Sequence, residues 1–441
     1  MIYDILLDVI GVVFKVIIFI IKKTPYHNNV LEWVKKCHIH NRLYSIEKMN
    51  KEVAKFNFDN LGRSKLLNGQ NLKNVYEADM HQMIIVDNKN RRRTIQIPYM
   101  EIINFNRTPN AIINISCSKE DPLLLNKKYI FPEKYKTATQ TCIDAVLQNN
   151  PKTTNDSHPR LASLKRVNGD EYLCILEETD YFTQIRSNQS LDCHINIDGR
   201  RKTIRNIERE RHEKEAKEWE ASHIPYDALH PMCLTSFDNS LLANAIGVSA
   251  IWCMDTNEGL KFYLMPRNKK VGIYKNKLGI PSGAIESPLY KNKPQNQHNR
   301  FRTTSLIEYL EWEMAREFLE ETGIKDRSKD IADYSIEIDT NRVLHEIDME
   351  IIPLAFTREI LRGGKPQMFF LIKTEEIEDD VLKKCFRASL GVEEFEDAIW
   401  TTASISAEAA CNYLYALEYI QGYNLNEIDL TENNINTLES C

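Results

Sequence analysis

Three glutamates crowd one short stretch of the chain, Arg316-Glu317-Phe318-Leu319-Glu320-Glu321-Thr322-Gly323-Ile324. On a helix of 3.6 residues per turn, Glu317, Glu320 and Glu321 fall within roughly 100° of arc, so their carboxylates converge. The pairs Glu317/Glu320 and Glu317/Glu321 are like-charged neighbours, costing about 0.2–0.5 kcal/mol each when exposed. Acid near a helix C-terminus also opposes the macrodipole, by about 0.3–1 kcal/mol. A helix serving only stability would not carry them there. The apolar stripe of the same helix runs through Leu306, Ile307, Leu310, Met314 and Phe318, and the triplet lies about 50° from its centre. The carboxylates therefore sit along the edge of the buried side, where a hard divalent cation with oxygen ligands, Mg²⁺ or Mn²⁺, relieves their repulsion. The competing reading is an acidic, solvated helix surface.

The elements that must hold this cluster are legible on either side of it. TTSLIEYLEWEMAREFLEETGI has helical periodicity, with Thr304 or Ser305 as N-cap and Gly323 as the stop. Before it, AIGVSAIWCMD and LKFYLMPR read as strands, and LGIPSGAIES as a strand entering a glycine turn. After it come strands at YSIEID, MEIIPLAF and QMFFLIKT, another near AIW, and the helix SAEAACNYLYALEYIQGY. The expected fold is mixed α/β, of the α+β kind.

These residues resemble the Nudix hydrolase family, whose box is G-x5-E-x7-R-E-U-x-E-E-x-G-U with U bulky and apolar. Glu308, seven residues, Arg316, Glu317, Phe318, Glu320, Glu321, Gly323 and Ile324 match its second half. The first half is similar to Pro281-Ser282-Gly283-Ala284-Ile285-Glu286, where the family has P-G-G-x-x-E. Ser282 replaces the first glycine, and 24 residues separate Gly283 from Glu308 instead of five. The resemblance covers roughly residues 240–425. It implies a mixed sheet sandwiched between helices, with Glu317, Glu320 and Glu321 as Mg²⁺ or Mn²⁺ ligands. Arg316 would orient a glutamate, and Glu308 would brace loop and helix. It also implies hydrolysis of a pyrophosphate bond, the metal polarising phosphate oxygens and activating water. A further acidic group, often supplied by the loop before the last strand, would be Glu394, chosen among Glu393, Glu394, Glu396 and Asp397; a plain acidic loop is the other reading. Between two strands beside the expected site lie Arg358, Arg362 and Lys365, either phosphate-holding groups or a basic hairpin tip without a ligand. Arg267, Lys269 and Lys270 carry the same two readings.

The rest of the chain says less about chemistry. The first 21 residues, MIYDILLDVIGVVFKVIIFII, are strongly apolar and precede Lys22 and Lys23. As a helix they span roughly 31 Å, about one hydrocarbon core. Lys22, Lys23, Lys35 and Lys36 put the following chain on the cytoplasmic side. Asp4, Asp8, Gly11, Lys15 and Lys22 form one polar stripe. It suits an in-plane amphipathic helix, a spanning helix paired with its own copy in a homo-oligomer, or a helix docked on a soluble domain. The expected division is an apolar anchor helix at 1–23, an α+β region at 24–150, a strand-rich extension with a charged helix at 151–235, and the Nudix-like domain at 236–430. Within the extension, QNNPKTTNDSHPR at 148–160 reads as a linker, EYLCILEE, YFTQIR and CHINID as strands, and IERERHEKEAKEWEASH at 207–223 as a helix.

Composition narrows the functions. The 441 residues carry 57 Lys+Arg against 63 Asp+Glu, a net charge of −6, which argues against sequence-independent nucleic-acid binding. Two basic runs, Arg91-Arg92-Arg93 and Arg200-Arg201-Lys202 with Arg205, lack interleaved aromatic residues for stacking on single strands. The ten cysteines contain no CxxC pair and read as free thiols in a reducing compartment. The leading expectation is a membrane-associated hydrolase, its catalytic domain facing the cytoplasm. It would cleave a nucleoside diphosphate linked to another moiety. An RNA-decapping enzyme and a nucleotide-sensing module that signals through the N-terminal region are the alternatives.

Overall fold

A computed structural model describes residues 72–86, 91–116, 127–257, 259–266, 278–286, 304–329, 345–378, 380–382, 405–422 and 427–429, together with Glu32, Lys36 and Cys37. The apolar segment 1–23 and Glu394 lie outside them, as do Arg267, Lys269 and Lys270. Among the described residues no helix is long and apolar enough to cross a membrane.

Helix α1 (Leu72–Tyr76) leads into the antiparallel pair β1 (His81–Val86) and β2 (Arg92–Ile97). RTIQIPYMEIINF does not continue as one strand. Pro98, which has no N–H for a ladder, divides β2 from β3 (Tyr99–Asn104), and the two enter different sheets. A short strand β4 (Ile112–Ile115) and helices α2 (Glu133–Ala138) and α3 (Gln140–Asn149) follow. Next comes the long antiparallel pair β5 (Ser157–Asn168) and β6 (Glu171–Asp180). The linker reading of 148–160 therefore fails at its C-terminal end. Residues 157–160 open β5, and the buried Arg160 binds Glu177 across the ladder at 2.9 Å.

YFTQIR is also not a strand. It folds as α4 (Tyr181–Arg186), because Asp180 accepts the Thr183 N–H at 2.8 Å as an N-cap and ends the alternation of β6. A hairpin of β7 (His194–Ile197) and β8 (Arg200–Thr203) precedes α5 (Ile204–Ala221). This charged helix is not wholly solvated. Glu208 and Glu215 are buried and accept the backbone N–H groups of Leu241 and Ser236, fixing the loop that follows.

The C-terminal half supplies most of the central sheet. Its strands are β9 (Gly247–Thr256), β10 (Gly259–Tyr263) and the paired β11 (Met265–Pro266) and β12 (Leu278–Gly279). Then come β13 (Ser282–Ala284), helix α6 (Leu306–Thr322), β14 (Ile324–Asp326), β15 (His345–Ile347), β16 (Met349–Glu359) and β17 (Lys365–Glu375). Helix α7 (Ala407–Gln421) and β18 (Glu427–Asp429) close the order. The sheet runs β10-β9-β17-β16-β3, with β13 joined to the start of β9. Its β9–β17 pairing is parallel and its other pairings antiparallel.

Helices cover both faces of the sheet. Phe318 of α6 meets Trp252 edge-on at 5.2 Å. On the other face, Tyr415 of α7 packs on Phe369, the register partner of Ser249. Ser249 and Trp252 are three residues apart on one strand and so point to opposite sides. A mixed α/β architecture is thus established. The N-terminal region is part of it: β3 hydrogen-bonds to β16, and Asn104 donates to the buried Glu418 of α7 at 3.0 Å.

Candidate active site

Helix α6 begins and ends where its caps require. Ser305 accepts the Glu308 N–H, and Gly323 closes the helix at φ 73°, a left-handed conformation that glycine adopts without penalty. Leu310, Met314 and Phe318 are fully buried, and the adjoining edge carries the glutamates. The side chains of Glu317 and Glu320 are 12% and 26% exposed, the half-sheltered placing expected from the helix wheel.

At the centre of the cluster is Arg316, 2% exposed, with four carboxylates around its guanidinium. Its Nε donates to Glu313 at 3.1 Å, its Nη2 to Glu317 at 2.6 Å, and its Nη1 lies 2.9 Å from Glu320 and 3.7 Å from Glu286. Glu321 stands beside this group and accepts the Ser282 N–H at 3.2 Å. The glycine loop reaches the helix directly. A Cβ on Gly283 would come within 2.3 Å of the Glu317 carboxylate, so any side chain here would displace Glu317. The long separation between Gly283 and Glu308 therefore leaves the meeting of loop and helix intact.

The electrostatics follow from one cation among several anions in a sheltered place. Burial, opposed by Arg316 and reinforced by Glu320 and Glu313, pushes the Glu317 carboxyl up to about 7. Glu313 is likewise raised by burial, against Arg316 and the Glu286 N–H. Arg316 is held well above its usual range by Glu313, Glu317, Glu320 and Glu286, against its burial. Among the described residues no three Asp, Glu, His or Cys side chains are disposed as a closed ligand set. The carboxylates are engaged by Arg316 and by the Ser282 amide instead. Their chemistry nevertheless fits a hard divalent ion. The donors are all carboxylate oxygens, and one guanidinium does not neutralise them.

The other residues singled out from sequence are placed elsewhere. Glu308 is exposed at the first turn of α6, roughly 13 Å along the axis from Glu317. Arg358, Arg362 and Lys365 form neither an exposed tip nor a group with the glutamates. Arg358 is 1% exposed, donates to Thr235 O and Gly364 O, and stacks on Phe237; burial lowers its pKa to about 10. Arg362 pairs with the buried Glu359 at 2.7 Å. Lys365 donates to Gln367 and is lowered to about 8, chiefly by burial. The cause is the turn between them: Gly363 and Gly364 have φ of 72° and 85° and fold tightly against Leu242, Leu191 and Arg358.

Sequence reasoning passed over Glu313 and Tyr309, and named Glu286 only within the glycine-loop string. Glu313 was detectable, since it stands four and seven residues before Glu317 and Glu320 on one helix face. Two clefts, of about 380 and 340 Å³, are lined by Asp79, His81 and Glu101 and by Arg166, Trp219 and His230 among others; none of the glutamates around Arg316 lines either. Among the described residues no disulfide joins the cysteines. No known protein family matches the chain, and no curated protein matches it.

Proposed function

We propose that the chain is a Mg²⁺-dependent (or Mn²⁺-dependent) pyrophosphohydrolase of the Nudix type, acting on a nucleoside diphosphate joined to another moiety. One observation carries the reading: carboxylates from a single helix edge gather on Arg316 against a glycine loop that touches Glu317. Glu317, Glu320 and Glu321 are the groups that would hold the ion. When bound, the ion supplies polarisation of phosphate oxygens and a water of lowered pKa. Arg316 keeps the helix-borne carboxylates aimed together by charge-assisted bonds. Gly283, having no side chain, lets the loop backbone lie against Glu317. Residues 1–23 would attach the protein to a membrane, with the hydrolase on the cytoplasmic side.

The test is phosphate release by the purified full chain from a broad panel of nucleotide derivatives, with and without Mg²⁺. At least one member should turn over, and Glu320→Gln or Glu321→Gln should abolish turnover while the fold persists. Undiminished turnover in both variants would remove the metal-site assignment. Tight binding of one nucleotide without any hydrolysis would instead make the chain a sensing module. For the membrane assignment, deletion of residues 1–23 should release the protein into the soluble fraction. Continued sedimentation of the truncated chain with membranes would refute it.

A further inference from the structure

The glycine loop and helix α6 are joined through residues 287–303, a connection too long to hold them together by itself. Loop-closure entropy changes slowly with length, so chain continuity alone gives little positional restraint. The restraint comes from side chains. Glu313, 2% exposed, accepts the Glu286 N–H at 2.9 Å with the same Oε2 that accepts Arg316 Nε at 3.1 Å. One turn earlier, the Tyr309 hydroxyl donates to the Glu286 carbonyl. The peptide groups on both sides of one loop residue are thus gripped from the helix. The N-terminal region secures the two ends of the connection: His158 Nδ1–H donates to Ile285 O at 3.0 Å, and Ile115 N–H to Thr304 O at 2.7 Å.

Resting on the hydrolase reading above, we propose that Glu313 is a positioning residue for the carboxylate cluster. It ties the glycine loop and the Arg316 guanidinium to one point. With Nε taken by Glu313, the guanidinium presents its two Nη atoms to Glu317 and Glu320 in a fixed orientation. Without that anchor, the guanidinium that already holds Glu317 and Glu320 loses its fixed orientation and no longer aims them, and the Gly283 backbone is no longer held over Glu317. Tyr309 serves the same end through the other face of the Glu286 backbone.

Mn²⁺ binding to the full chain, followed by electron paramagnetic resonance, tests this directly, with thermal melting as a control for folding. Glu313→Gln keeps an oxygen for the Glu286 N–H but loses the charge that holds Arg316, and should weaken Mn²⁺ binding about tenfold. Tyr309→Phe keeps the ring and removes the hydroxyl, and should weaken binding by a smaller factor. In both, kcat on an identified substrate should fall with KM little changed. Wild-type Mn²⁺ affinity in both folded variants, with binding lost in Glu320→Gln, would overturn the role of Glu313 and leave the metal site standing. Failure of the wild-type chain to bind Mn²⁺ at all would overturn the hydrolase reading and the positioning role together.

Discussion

The acidic end of α6 and the basic hairpin at 358–365 are two charge clusters with opposite fates. Both stand out in the sequence as groups that could handle phosphate. The glutamates stay at a half-sheltered edge with more anions than their arginine can balance. Arg358 and Lys365 are instead drawn wholly into the interior, bound to carbonyls, an amide and an aromatic face. Helical spacing sets which side chains share a face, whatever lies nearby. A hairpin tip carries no such guarantee. Whether it meets solvent or core depends on what packs over it, here residues near Leu191, Thr235 and Leu242.

The sharpest way to test that contrast is to remove one charge from each cluster. Glu320→Gln should abolish turnover and leave stability near wild type, because the side chain is partly exposed and its pairing with Arg316 is offset by repulsion from the neighbouring carboxylates. Arg358→Met should do the reverse. It leaves Thr235 O and Gly364 O without their donor and removes the stack on Phe237, at a cost of about 3 kcal/mol. The kcat per folded molecule should not change. Denaturant melts beside active-site titration separate the two effects. A loss of kcat in folded Arg358→Met would place the hairpin in the active site after all.

Gly283→Ala should give a smaller effect of mixed character. The added methyl collides with the end of a flexible carboxylate and not with backbone, so about 1 kcal/mol of stability is expected to go. Glu317 must move to make room, and turnover should drop about a hundredfold. Unchanged turnover would mean that the present position of Glu317 does not matter to the reaction.

The same contrast explains what could be read from the sequence. Ser305, Gly323 and the glutamate triplet were legible because caps and helical faces are local properties. So was the mixed α/β class, from alternating strand and helix periods. The joining of β3 to β16 was not legible, nor the bond between Asn104 and Glu418, because their partners are hundreds of residues away. YFTQIR misled because its β-like composition was overruled by the Asp180 cap and by burial of Thr183, Gln184, Ile185 and Arg186. Glu313 could have been picked out by its spacing. Its bond to the Glu286 N–H could not, since a long connection lies between them.

The smallest expected effect concerns the anchorage of that connection by His158. Burial holds the His158 pKa below its ordinary 6.5, against the pull of Ile285 O, Asp156 and Glu286. The folded chain therefore keeps this imidazole neutral at a pH where the unfolded chain has protonated it. Stability from His158 is present above about pH 6.5 and falls as pH drops toward the lower folded value, at no more than about 1.4 kcal/mol per pH unit. Buried carboxylates with raised pKa, such as Glu317, give the opposite slope, so the informative quantity is a difference between variants. His158→Asn retains an N–H donor for Ile285 O and does not titrate. Relative to wild type, it should lose less stability between pH 7 and pH 5 in denaturant melts. Parallel curves for the two proteins would show that His158 is protonated alike in both states, and that the grip on Ile285 does not depend on a neutral ring.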